Sequence, residues 1–146
     1  GVAHQDRQDS GRGAMSRLPS PDSGGPDGDP FEIPIERLGT TPRYSDAVAH
    51  GLTVYLVEVP ATLDADIAAQ TKEVLDSIEY QLAYMGSHKS RLLMVTIYLR
   101  EMDDYAAMNA VWDAWVPPGT APARACVEAR LAHPDYRVEM AVVAGR

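Results

Sequence analysis

Residues 122–143 read PARACVEARLAHPDYRVEMAVV, and their period-two pattern decides the fold. In the first half Arg124, Cys126, Glu128 and Arg130 alternate with Ala125, Val127, Ala129 and Leu131, the signature of a strand with one polar and one apolar side. In the second half Val138, Met140 and Val142 alternate with Arg137, Glu139 and Ala141. Pro134 and Asp135, both turn formers, sit in the break between them at residues 132–136. With the polar residues of both strands assigned to one face, Arg124 and Glu139 reach a common concave, partly dry surface. An arginine fork is shaped to hold a small carboxylate through two parallel hydrogen bonds, and a glutamate beside the held molecule can move a proton. The stretch therefore outlines a substrate site.

Moving toward the N-terminus, residues 104–115 place Met108, Val111, Trp112 and Trp115 on one helical stripe before Pro117, Pro118 and Gly119, so a helix is expected there with Asn109 off the centre of the stripe. Residues 91–100 read as a strand with two apolar sides, Leu93, Val95, Ile97 and Leu99 on one and Leu92, Met94, Thr96 and Tyr98 on the other. A first helix is marked by Ile67, Thr71, Val74, Leu75, Ile78, Leu82 and Met85, with Asp64 as the expected N-cap and Gly86 at a left-handed C-cap position. Its outward face carries Lys72, Glu73, Asp76 and Glu79. Residues 45–49 and 52–59 form a strand pair turning at His50 and Gly51, and FEIPIERLG, with Pro34, reads as an edge strand. Two helices cover only one face of such a sheet. The other face must meet a loop, the N-terminal segment or another subunit, and a symmetric oligomer supplies that apolar cover most simply. The stripe of Arg124, Cys126 and Glu139 is expected to open near that seam.

Composition narrows the function. A chain of 146 residues with 45% hydrophobic content builds one core. Residues 1–30 are rich in Gly, Ser, Asp, Pro and Arg and read as a tail, with Gly1 as a remnant and Met15 as the native start, which leaves residues 31–146 as the domain. A net charge of −8 argues against nucleic-acid or anionic-membrane partners, since such binding relies on basic patches. The single cysteine, Cys126, forms no internal disulfide. No window has the apolar length of a membrane span or the layout of a signal peptide, so a cytoplasmic location is expected. His4, His50, His88 and His133 lack ligand spacing, and neither a metal nor another cofactor is expected.

PARACVEARL followed by RVEMAVVA resembles the closing signature of the RidA/YjgF family of enamine and imine deaminases, and LDADIAAQTKEVLDSI and YAAMNAVWDAW resemble its two helices. TLDAD, AAMNAVWDAWV and the longer turn LAHPDY are most similar to the YoaB-like branch, and the resemblance runs from about Tyr44 to the C-terminus. It implies an α+β fold of the chorismate mutase-like kind: a six-stranded mixed sheet with two helices on one face, assembled as a homotrimer with three clefts between subunits. Arg124 then matches the arginine that holds the substrate carboxylate, and Glu139 the acid that activates water. Cys126 matches a cysteine whose main chain borders the ligand, Asn109 an asparagine near the cleft, and Tyr44 in PRYSDAV an N-terminal tyrosine. Asn109 bonding a neighbouring main-chain group and Tyr44 as a packing aromatic are the plain alternatives. One departure stands out. Val57 and Glu58 precede Val59 and Pro60 where the family has a Ser or Thr and a Gly, so that Glu58 either narrows the cleft and adds negative charge, or points away from it, pairs with an arginine, or acts as a second acid or base.

The implied reaction is cofactor-free hydrolysis of a small 2-imino or 2-enamino acid to a 2-keto acid and ammonia. Two other classes stay open: a non-catalytic module that binds a small carboxylate or keto acid, favoured if Glu58 blocks the water position, and the endoribonuclease activity attached to some relatives, which the acidic chain disfavours. Glu128, Arg130 and Arg137 read as cross-strand ion pairs on a solvated face, Cys126 as a small buried filler, and Trp112 and Trp115 as core.

Overall fold

The computed structural model describes residues 32–146. The expected tail at residues 1–30 lies outside the described residues. Eight elements follow in order: β1 (Ile35–Leu38), β2 (Ala47–His50), β3 (Thr53–Glu58), α1 (Ile67–Tyr84), β4 (Leu92–Leu99), α2 (Tyr105–Trp115), β5 (Ala123–Glu128) and β6 (Val138–Gly145). The strands form one sheet in the order β1-β2-β3-β6-β4-β5. β4 and β5 are parallel and every other neighbouring pair is antiparallel, so the sheet is mixed, as expected. A parallel pair needs a crossover, and α2 supplies it. That crossover brings α2 against β5 and so positions the site. Among the described residues no helix is long and apolar enough to cross a membrane.

Both helices lie on one face. Val54, Leu56, Val95, Ile97, Leu99, Val138, Met140, Val142 and Ala144 of the sheet are buried with Val74, Leu75, Ile78 and Leu82 of α1 and Met108 and Trp112 of α2. Among the described residues no helix lies over the opposite face, which exposes Tyr55, Met94 and Val127. The expected alternation of β4 is corrected at its start. A bulge between Leu92 and Met94 shifts the register, so Leu92 joins the core while Leu93 and Met94 are both exposed. The cap of α1 is corrected too: the carboxylate of Asp66, not Asp64, accepts from the Ala69 N–H at 2.8 Å. Gly86 takes the left-handed conformation at φ +80° beyond that helix, as its position implies.

The loop between β5 and β6 is fixed from below. Gln70 of α1 is 0% exposed; its amide donates to Asp135 O at 2.9 Å and its carbonyl accepts from the Arg137 N–H at 2.8 Å. A buried amide with both ends satisfied holds a loop better than apolar contact alone, because losing either bond strands a desolvated polar group. Tyr136, fully buried, adds an apolar anchor to the same loop.

Candidate active site

Arg124 leaves β5 toward the helices. It lies opposite Val95 in the β4–β5 register, and Val95 belongs to the core face. On α2 the residues Tyr105, Asn109 and Trp112 are spaced i, i+4 and i+7, which puts them on one stripe of the helix. All three meet the guanidinium. Nη1 donates to Asn109 Oδ1 at 2.8 Å, Nη2 lies 3.4 Å from the Tyr105 hydroxyl, and Cζ stands 5.2 Å from the Trp112 ring centroid and 5.9 Å from that of Tyr105. These are neutral partners. Among the described residues Arg124 has no carboxylate partner, so its charge is oriented but not neutralised.

Cys126 stands two residues along on the same side, packed against the core. Burial pushes its thiol above the ordinary value, and the nearby charge of Arg124 opposes the shift only in part. Its packing against the core side chains is that of a small space-filling group.

Glu139 leaves the sheet on the other side. Ile97 faces both Cys126 and Met140 across its two neighbouring strands, so Cys126 and Met140 share the helix face and Glu139, next to Met140, takes the opposite one. There it is 5% exposed at the base of a cavity of about 380 Å³, walled by Val57, Tyr98 and Ala141 from the sheet and by residues 129–132 from the loop. Arg124 and Glu139 of one chain therefore do not share a surface, and the expectation of a single polar face is corrected. Alternation fixes the parity within each strand, but nothing in the intervening loop carries that parity to the next strand.

Tyr44 lies in the connection between β1 and β2, at the edge of the sheet away from β5, and in one chain it does not meet Arg124. Asn109 does, through its side-chain oxygen rather than a main-chain bond. Glu58 pairs with Met140 in register, faces the helices and is 2% exposed, whereas Val57 lines the Glu139 cavity. Glu58 is thus the branch of the alternative that points away. The expected cross-strand ion pairs are replaced. Glu128 accepts from the Met102 N–H at 2.9 Å ahead of α2, Arg137 pairs with Asp104 at 3.5 Å, and Arg130 has no hydrogen bond or ion pair among the described residues. Tyr105 and the ring face of Trp112 are site features that the sequence did not single out, although their helical spacing with Asn109 was there to be seen. Among the described residues no cluster of three or more His, Cys, Asp or Glu is placed to hold a metal ion.

The family model described as Endoribonuclease L-PSP matches residues 34–145. The RutC family protein YoaB of Escherichia coli K12 is 46% identical over 110 residues, covering 75% of this chain and 96% of that protein. A protein of the same organism named 2-iminobutanoate/2-iminopropanoate deaminase is 31% identical over 91 residues, 61% of this chain and 68% of that one. Among solved structures, a member of the YjgF protein family from Neisseria meningitidis is 51% identical with a TM-score of 0.74, covering 77% of this chain and 94% of that chain. With its arginine-bearing fifth strand, its inserted sixth strand and its two helices on one face, the chain belongs to the RidA/YjgF family.

Proposed function

We propose that the protein hydrolyses small 2-imino acids, or the 2-enamino acids that tautomerise to them, in clefts formed between copies of the chain. The observation that carries this reading is the state of Arg124: aligned by Asn109, Tyr105 and Trp112, yet unneutralised among the described residues. Such a guanidinium is preorganised for an anion, and its free edge suits a carboxylate bidentately. Glu139 opens onto the opposite face of the sheet, which is also the apolar face that no helix of the described residues covers. Packing that face against a second copy brings Glu139 of the partner subunit toward Arg124, and a closed ring such as a trimer repeats the pairing at each junction. Cys126 and Asn109 then stand on the Arg124 side of the cleft, with Tyr44 entering alongside the partner's Glu139.

In the chemical step the substrate carboxylate sits on Arg124, which fixes the C=N carbon. Glu139 takes a proton from water as the water oxygen bonds to the carbon of the protonated imine, whose C=N π pair moves to nitrogen to give a neutral carbinolamine. The carboxyl group passes that proton to the nitrogen as the C–N bond breaks, and the hydroxyl proton goes to the departing ammonia as the C=O forms, so that iminium and water leave as a 2-keto acid and ammonium. The name of the E. coli deaminase supports this substrate class. Glu58, buried on the helix face and off the wall of the Glu139 cavity, does not narrow that cavity, which supports turnover over binding alone.

The test uses 2-iminobutanoate generated in situ and trapped when it escapes. Glu139→Gln should slow turnover by on the order of 10²- to 10⁴-fold with little change in affinity for 2-oxobutanoate. Arg124→Ala should lose chiefly that affinity. Wild-type turnover matched by Arg124→Ala overturns the proposal.

A further inference from the structure

A second cavity adjoins that of Glu139. It measures about 340 Å³ and is lined by Arg100, Arg130, Leu131, Ala132, His133 and Pro134. Arg130, Leu131 and Ala132 line both hollows, so the two meet along one short piece of chain. No carboxylate lines the second cavity, in a chain where 21 acidic residues outnumber 13 Lys and Arg.

Two of the basic groups are held in place. The Arg100 guanidinium donates to Pro134 O, which pins it against the loop. His133 Nδ1 accepts from the Asp135 N–H at 3.0 Å, leaving Nε2 as the ring's donor, and the ring stands 5.2 Å from that of Tyr136. Tyr136 is buried, and Gln70 holds the main chain of Asp135 and Arg137 on either side of it. Arg130 completes the ring of donors and has no partner among the described residues. Two guanidiniums and an imidazole N–H around one hollow, with no acid among them, repel one another until an anion enters.

We propose that this cavity receives a second carboxylate on the substrate, so that the preferred substrates are 2-imino acids whose side chain ends in a carboxylate. The inference rests on the function proposed above and deepens it. With the first carboxylate on Arg124 and the imine carbon at the partner's Glu139, the side chain extends into the Glu139 cavity and its end meets the wall formed by residues 130–132. A neutral side chain leaves the arginines without a counter-ion; an acidic one supplies it. Water adds and ammonia leaves as before, and the distal carboxylate is unchanged.

The experiment compares hydrolysis of 2-iminoglutarate with that of 2-iminobutanoate, each generated in situ by an amino-acid oxidase. The readout is the ratio of kcat/KM for the acidic over the neutral substrate. The ratio should exceed one in the wild type and fall by on the order of tenfold in Arg130→Gln. Arg130 is exposed, so that variant should fold; Arg100→Gln, tested alongside it, should lower the ratio as well. An unaltered ratio in Arg130→Gln, or a wild type that favours the neutral substrate, overturns the inference. If inorganic phosphate binds in a manner lost in Arg130→Gln while the ratio holds, the cavity is a site for free anions and the substrate assignment fails. Arg124→Ala separates the two levels. Loss of both activities in that variant with an unaltered ratio in Arg130→Gln sinks this inference alone, whereas hydrolysis of neither substrate by the wild type above the spontaneous rate sinks both.

Discussion

A half-buried arginine usually ends against a carboxylate, because an isolated charge is expensive to desolvate. Arg124 instead rests on an amide, a phenol and an indole. The Trp112 face offers quadrupole attraction without cancelling the charge, so it orients the guanidinium and leaves it available to a ligand. Trp112→Leu should therefore weaken binding of 2-oxobutanoate roughly threefold to tenfold beyond any loss of fold, while Trp112→Phe, which keeps a ring, should recover most of the affinity. Calorimetric titration of the folded variants checks this; equal losses in Leu and Phe would reduce Trp112 to a packing residue. The sequence made Arg124, Asn109 and Cys126 legible through the family signature, and the structure places all three on one side of the sheet. Trp112 read as core because a tryptophan on an apolar stripe usually is core. Only its placement over β5 by the parallel crossover reveals the ring's second contact.

At the scale of elements, the six strands and two helices of the described residues were legible, most of them from a period of two or of about 3.6, β4 from a run apolar on both sides and β1 from its edge-strand proline. What was not legible was how each strand is rotated about its own axis relative to its neighbours. The side facing the helices is set for β5 and β6 by their separate registers with β4, and the loop joining them passes no phase from one to the other. The bulge near Leu93 is invisible for the same reason, since it is defined by the partner strand. Gly39 shows a local rule at work on the segment that carries Tyr44. It adopts φ +63°, and a Cβ there would run into the Asp46 carboxylate. Both the left-handed backbone and the collision argue against any side chain, so Gly39→Ala should destabilise the fold by about 1–3 kcal/mol. Urea unfolding measures the change; a shift under a few tenths of a kcal/mol would mean the turn relaxes freely.

At the scale of the whole molecule, one chain holds the two groups of the proposed site on opposite faces of the sheet. Arg124 and its α2 cradle are on the helix side of the sheet, and Glu139 with its cavity is on the apolar side that no helix of the described residues covers. Exposed Tyr55, Met94 and Val127 on that second side give association a hydrophobic drive, and association is also what the proposed chemistry requires. This predicts complementation. Arg124→Ala retains an intact Glu139, and Glu139→Gln retains an intact Arg124, so each alone should be defective. When the two are mixed in equal amounts and allowed to reassemble, a junction is whole if its arginine comes from one variant and its glutamate from the other. Random assortment makes roughly a quarter of junctions whole, whatever the number of subunits in a closed ring. Hydrolysis of 2-iminobutanoate should accordingly recover to about a quarter of the wild-type rate per chain. A mixture no better than the average of its two components, under conditions where exchange is verified by mass spectrometry, would place both groups in the same chain's site or remove one from catalysis altogether.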